Sequence, residues 1–244
     1  MALATVVVVV VGALATHAIS GSGGSGDRRA STPDTVDWPA PAPFRSGSTP
    51  SASVSATASR SAATDQIRWD ATLAVALPVS VTQGPSVLSP TRAASFGASR
   101  LGAALAAVHL LARTSPRVGP AVFTATLDEQ VYGPNRQALA DTVRAGYAEE
   151  ASQLGLEAGE PLPGADAELV GYRIVRYSDS DAAVEVVLSS TALRIDGHQV
   201  AVRVSLQRTD DDWVLIAPPR GDWGVVTNVL TSQPADVLTF GQGA

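Results

Sequence analysis

Three histidines, no cysteine and no lysine leave this chain few groups for chemistry near neutral pH. General acid–base work needs a His, Asp or Tyr whose pKa is perturbed by burial or by its neighbours. His17 lies in an apolar N-terminal run, and His198 follows Asp196-Gly197, a pair that marks a solvated hairpin tip. His109, one position after Val108 on a predicted helix, is the one histidine facing structure and is the weak candidate for a cavity group. The alternative for a lone helical histidine is a capped or half-exposed structural residue.

No two histidines stand at metal-ligand spacing. Without cysteine there is no thiolate nucleophile, no disulfide and no Cys-ligated zinc or iron–sulfur centre. Asp210-Asp211-Asp212 lacks the alternating ligand spacing of a calcium loop and reads as a solvated turn. The glycine-rich run from Gly21 to Gly26 has no strand and helix around it, so it is not a phosphate-binding loop. We therefore expect no catalytic residue, no metal and no cofactor. The local feature to test is Gly221-Asp222-Trp223-Gly224, a large aromatic bracketed by glycines just past the last predicted strand. Trp223, with Asp222 and Trp213, reads as a partner-binding knob or as a plug that closes the core, and the core role is preferred.

The elements that must position these residues begin near Asp65. Ile67, Trp69, Leu73, Val75 and Leu77 mostly alternate and predict a short strand before Pro78, with a turn at Gly84-Pro85. Ser99 can cap a helix running to about Arg113, with Leu101, Leu105, Val108 and Ala112 on one face. Its Gly102, Ala103, Ala106 and Ala107 let another element come close. A second helix is predicted from Pro120, carrying Phe123, Leu127 and Val131 and stopped by Gly133. A third opens at Pro134 and ends at Gly155. Strands follow at 168–177, 182–193, 199–207 and 213–217, and Pro218-Pro219 ends them. On the third of these strands Val200, Val202, Val204 and Leu206 line one face, with Ala201, Arg203, Ser205 and Gln207 on the other. Helices in a block before strands in a block predict an α+β domain with about three helices on one face of a curved four-stranded antiparallel sheet. Val225 to Ala244 is expected to add a short helix or strand and then fray.

Ahead of this domain, Ala2 to Ile19 is almost unbroken apolar sequence. As a helix its length is about 27 Å, close to the ~30 Å hydrocarbon core. It reads as an uncleaved transmembrane anchor, with a cleaved signal peptide as the rival despite a missing basic n-region and a poor cleavage site. Residues 20–64 are Gly, Ser, Pro, Ala and Thr with few bulky apolar residues, a composition that predicts a disordered linker. The expected organisation is an anchor at 1–19, a linker at 20–64, the α+β domain at 65–232 and a flexible tail at 233–244. A net charge of −6 and a pI near 5.0 argue against a nucleic-acid-binding surface, which wants clustered positive charge.

The element order is similar to that of the cone-shaped domain typified by nuclear transport factor 2 and ketosteroid isomerase. More locally, Leu101-Gly102-Ala103-Ala104-Leu105, Arg113-Thr114-Ser115-Pro116, Gln130-Val131-Tyr132-Gly133-Pro134 and Ala217-Pro218-Pro219-Arg220-Gly221-Asp222-Trp223-Gly224 resemble a family of uncharacterised actinobacterial membrane-anchored proteins. Leu77-Pro78-Val79-Ser80 with Gly84-Pro85 fits the same pattern, and the likeness runs from about Asp65 to Gly224. In layout such proteins resemble the scaffold subunits of conjugative type IV secretion. The resemblance implies a single-pass cell-membrane protein with its domain outside the membrane. Arg28 and Arg29, taken alone, point the other way. It also implies a scaffold or assembly component working through protein partners or self-association, and it brings no catalytic residues. The alternatives are an extracytoplasmic small-ligand or lipid binding module and, further off, an isomerase- or hydratase-like enzyme.

Overall fold

Where local propensity is strong, the chain follows it. In the computed structural model, which describes residues 66–73, 76–164, 167–190 and 199–241, three helices and ten strands form. Strand β1 (Ile67–Asp70) pairs antiparallel with β2 (Leu77–Ser80), and β3 (Val87–Leu88) with β4 (Ala93–Ala94). Helix α1 (Arg100–Arg113) starts at Ser99, whose hydroxyl accepts the Gly102 N–H at 3.0 Å. Helix α2 (Pro120–Glu129) has proline in its first turn, and α3 (Arg136–Leu154) ends at Gly155 in the left-handed conformation. Between α2 and α3 lies β5 (Val131–Tyr132). Four longer strands follow, β6 (Ala167–Tyr177), β7 (Asp181–Ser190), β8 (Gln199–Arg208) and β9 (Trp213–Ile216), and then β10 (Thr227–Leu230).

The expected four-stranded antiparallel cone is not what forms. The chain is α+β with three helices, but the main sheet is mixed and six-stranded, in the order β5-β9-β8-β7-β6 with β10 also on β8. The two additions are short. Val131 leaves the predicted second helix because the helix stops at Glu129, and β5 then runs parallel to β9. Gln130 O accepts the Leu215 N–H and Tyr132 O the Ala217 N–H. β9 covers Ser205–Arg208 of β8, which leaves the other half of that edge for β10 to pair with Gln199–Val202. At the opposite edge Leu238 exchanges two backbone hydrogen bonds with Tyr172 of β6. In place of the one short strand expected before Pro78 there is a hairpin, with Pro78 in its second strand opposite Trp69.

Helix α1 is the centre of the core. Every residue from Gly102 to Arg113 is buried, as befits a sequence apolar on all sides. One side meets β6, β7, β8 and β9; β2, β4 and α2 pack on the rest. Val184, Val186, Val202, Val204 and Leu206 of the sheet share one apolar cluster with Leu105, Val108 and Leu111. Gly102 is required because a Cβ there would sit 2.1 Å from Gly97 O. Among the described residues no helix is long and apolar enough to cross a membrane. The segment read as an anchor, the linker, His17, His198 and the Asp196-Gly197 turn all lie outside them.

Candidate functional site

His109 and Trp213 take part in tying down one segment, residues 78–97. His109 is fully buried, and its Nε2–H donates to Pro78 O at 2.9 Å, a carbonyl on a residue with no N–H of its own. Nδ1 therefore carries the lone pair, and it has no partner. Any added proton must go there. Burial, mainly, pushes the His109 pKa down from 6.5 to about 4, against the Pro78 bond and aided by Arg113; the nearby Asp70 works weakly the other way. One turn on, Arg113 Nη1 donates to Pro90 O and Nη2 to Ser89 O, each at 3.0 Å. Burial lowers its pKa to about 10, so it stays charged. Gln130 Nε2 adds a bond to Ala93 O at 2.7 Å.

The His109 shift has a definite sign. The unfolded chain takes up its proton near pH 6.5 and the folded chain only near pH 4, so acid favours unfolding. We expect His109 to cost about 3 kcal/mol of stability as pH falls from above 6.5 to 4, with little effect above that window. Urea unfolding at pH 7 and pH 4.5 should show this slope in the wild type and a flatter one in His109→Leu. Equal slopes would rule His109 out as the cause.

Asp212 is more than a solvated turn residue. Its carboxylate accepts the N–H of Ser95 at 2.7 Å, of Phe96 at 2.9 Å and of Trp213 at 2.9 Å. Ser95, at φ 61, turns two successive amides onto the anion. Beside it Trp213, fully buried, donates its indole N–H to Gly97 O at 3.0 Å and packs on Tyr177 and Arg208. Asp212→Ala strands the buried Phe96 amide and leaves that of exposed Ser95 to water, and should cost about 1–2 kcal/mol, with Asp212→Asn in between. A loss under about 0.5 kcal/mol in chemical denaturation would restore the solvated-turn reading.

The remaining two candidates sit elsewhere. Asp222 caps the 3₁₀ turn Trp223–Val226, its Oδ1 accepting the Gly224 N–H at 2.8 Å, and Thr227 Oγ1 donates to Trp223 O. Trp223 is 5% exposed and belongs to the core cluster, yet it also lines a groove of about 290 Å³ on the outer face of the sheet. Pro134, Ile216, Pro218, Pro219 and Val226 supply apolar walls; Asn135, Arg203 and Ser205 supply polar atoms. Arg203 is held in place by Glu185, whose Oε1 takes its Nη2–H at 2.7 Å. Glu185 in turn accepts from Arg173 Nε at 3.0 Å and from its Nη2. Burial alone would raise the Glu185 pKa, but the bonds from Arg203 and Arg173 prevail and hold it below the usual carboxylate range.

So the structure brings Trp223 to Arg203, Ser205 and Asn135, and keeps His109 and Trp213 in the interior. The strand alternation already placed Arg203 and Ser205 on the outer face of β8. Nothing in it pointed to Asn135 or to the proline walls. Among the described residues no group of three or more acids or histidines could hold a metal ion.

Among the described residues, then, a mixed six-stranded sheet packs on a buried central helix whose polar side chains bond backbone carbonyls, and a groove opens at Trp223. The chain belongs to the family of a domain of unknown function (DUF8175), whose pattern matches residues 30–234. That span takes in the chain ahead of β1 as well. No curated protein and no solved structure matches the chain.

Proposed function

We propose that this protein is a non-enzymatic binding and assembly domain, held at the cell membrane by its N-terminal apolar segment and working outside it. The observation that carries the reading is the burial of α1 on every side. An enzyme of comparable helix-on-sheet build needs a solvent-reached space between helices and sheet, and here Leu, Val and Ala side chains fill it. The buried titratable groups best placed for chemistry, His109 and Arg113, spend their hydrogen bonds on backbone carbonyls. The cone-shaped layout shared with conjugation scaffold subunits does not form here, and no particular machine is assigned to the domain.

The test is cross-linking of the tagged full-length protein in native membranes, followed by sizing and mass spectrometry. Complexes of fixed stoichiometry, with a partner or with further copies of this chain, are expected. A monomer at all cross-linker doses, or recovery in the soluble fraction alone, would overturn the proposal.

A further inference from the structure

We infer that the groove beside Trp223 is a binding site for a small monocarboxylate with a compact apolar body. The indole N–H of Trp223 has no protein acceptor among the described residues. A nearly buried indole N–H ordinarily finds an acceptor, as that of Trp213 does in Gly97 O. Trp223 is 5% exposed, lines the groove, and donates its N–H to no described residue; nor is that nitrogen among the sealed, unpartnered atoms of the interior. That N–H is therefore reached by solvent, on a side chain that lines the groove.

The other polar side chains there extend the pattern. Arg203 engages Glu185 through Nη2 and remains half exposed. Ser205 is exposed on the same face, and Asn135 makes no capping bond at the start of α3 although it occupies the cap position. No Asp or Glu lines the groove. Arg203 shares Glu185 with Arg173, so that one carboxylate is divided between two guanidiniums. A cation only partly offset, beside neutral donors, matches an anion, and a charge-assisted bond to a carboxylate is the strong form of such contacts. Glu185 and Arg173 hold the guanidinium in position before a ligand arrives, which reduces the ordering cost of binding. The walls are apolar and rigid, three of them proline, so the ligand must carry hydrocarbon next to its charge. At about 290 Å³ the space lies at the small end of ligand sites.

The test uses the full-length chain with ¹⁵N-labelled tryptophan, whose four indole signals report separately. Benzoate and hexanoate are titrated against benzamide and hexanamide. The Trp223 signal, assigned by its disappearance in Trp223→Phe, should shift saturably with the acids and not with the amides. Arg203→Gln should weaken benzoate binding roughly ten-fold or more. The signal of the fully buried Trp213 indole shows that each variant is folded. An equal response to the amides, no response to either acid, or an unchanged affinity in Arg203→Gln would overturn the assignment. A peptide ending in Pro-Leu with a free carboxylate, if bound more tightly than the free acids, would also overturn it and give the groove to a partner chain's terminus. None of these outcomes bears on the cross-linking result.

Discussion

Replacing Gly221 with alanine is expected to lower stability by roughly 4 kcal/mol, which in a domain of this size moves the melting temperature by about 10 °C. Two independent penalties add. Gly221 has φ +68, a conformation in which a Cβ costs about 1–2 kcal/mol. That Cβ would also lie 2.2 Å from Leu139 N and 2.3 Å from Ala138 C. Both are backbone atoms in the first turn of α3, so no side chain can rotate away and the turn or the helix must shift, at a further 1–3 kcal/mol or so. The displaced parts are the groove's own walls, since Pro218 and Pro219 precede Gly221 and Pro134 and Asn135 precede α3. Differential scanning calorimetry of Gly221→Ala tests it, and a shift under about 3 °C would mean that α3 and the 219–221 turn are not packed as described.

How much of this could be read beforehand differs by element. The helix ends were legible because single residues set them: Ser99 as a cap, Pro120 at an N-terminus, Gly155 at a C-terminus. The long strands were legible from alternation. Strands β5 and β10 were not, because two and four residues carry no period; they exist because β9 and β8 leave backbone edges to be filled. For α1 the stripe Leu101, Leu105, Val108, Ala112 suggested one buried face, and the small residues beside it suggested a close neighbour. The second side is covered by β2, β4 and α2, and the first two are too short to be foreseen. Asp212 shows the same limit in miniature. A turn acid and an acid that binds two amides have identical sequences, and only the positive φ of Ser95 separates them.

The groove joins a legible half to an illegible one. Arg203 and Ser205 belong to the polar face that alternation predicts. Trp223 reaches them only because β9 and β10 divide one edge of β8 and the 3₁₀ turn between them folds back over the outer face. A tryptophan flanked by glycines reads as a plug or as a knob, and this one belongs to the core cluster and lines the groove as well.

That division of labour makes the second large prediction a paired one. Trp223→Ala should cost roughly 3–5 kcal/mol, because truncating a buried tryptophan loses its transfer energy and leaves a cavity. Trp223→Phe keeps most of the ring and should cost under about 1.5 kcal/mol. In urea titrations the two midpoints should therefore separate widely at similar slopes. If Trp223→Ala melts with the wild type, the side chain is a surface knob and closes nothing. If Trp223→Phe falls as far as the alanine variant, the indole N–H has an acceptor inside the protein, and the groove loses the donor on which its ligand chemistry rests.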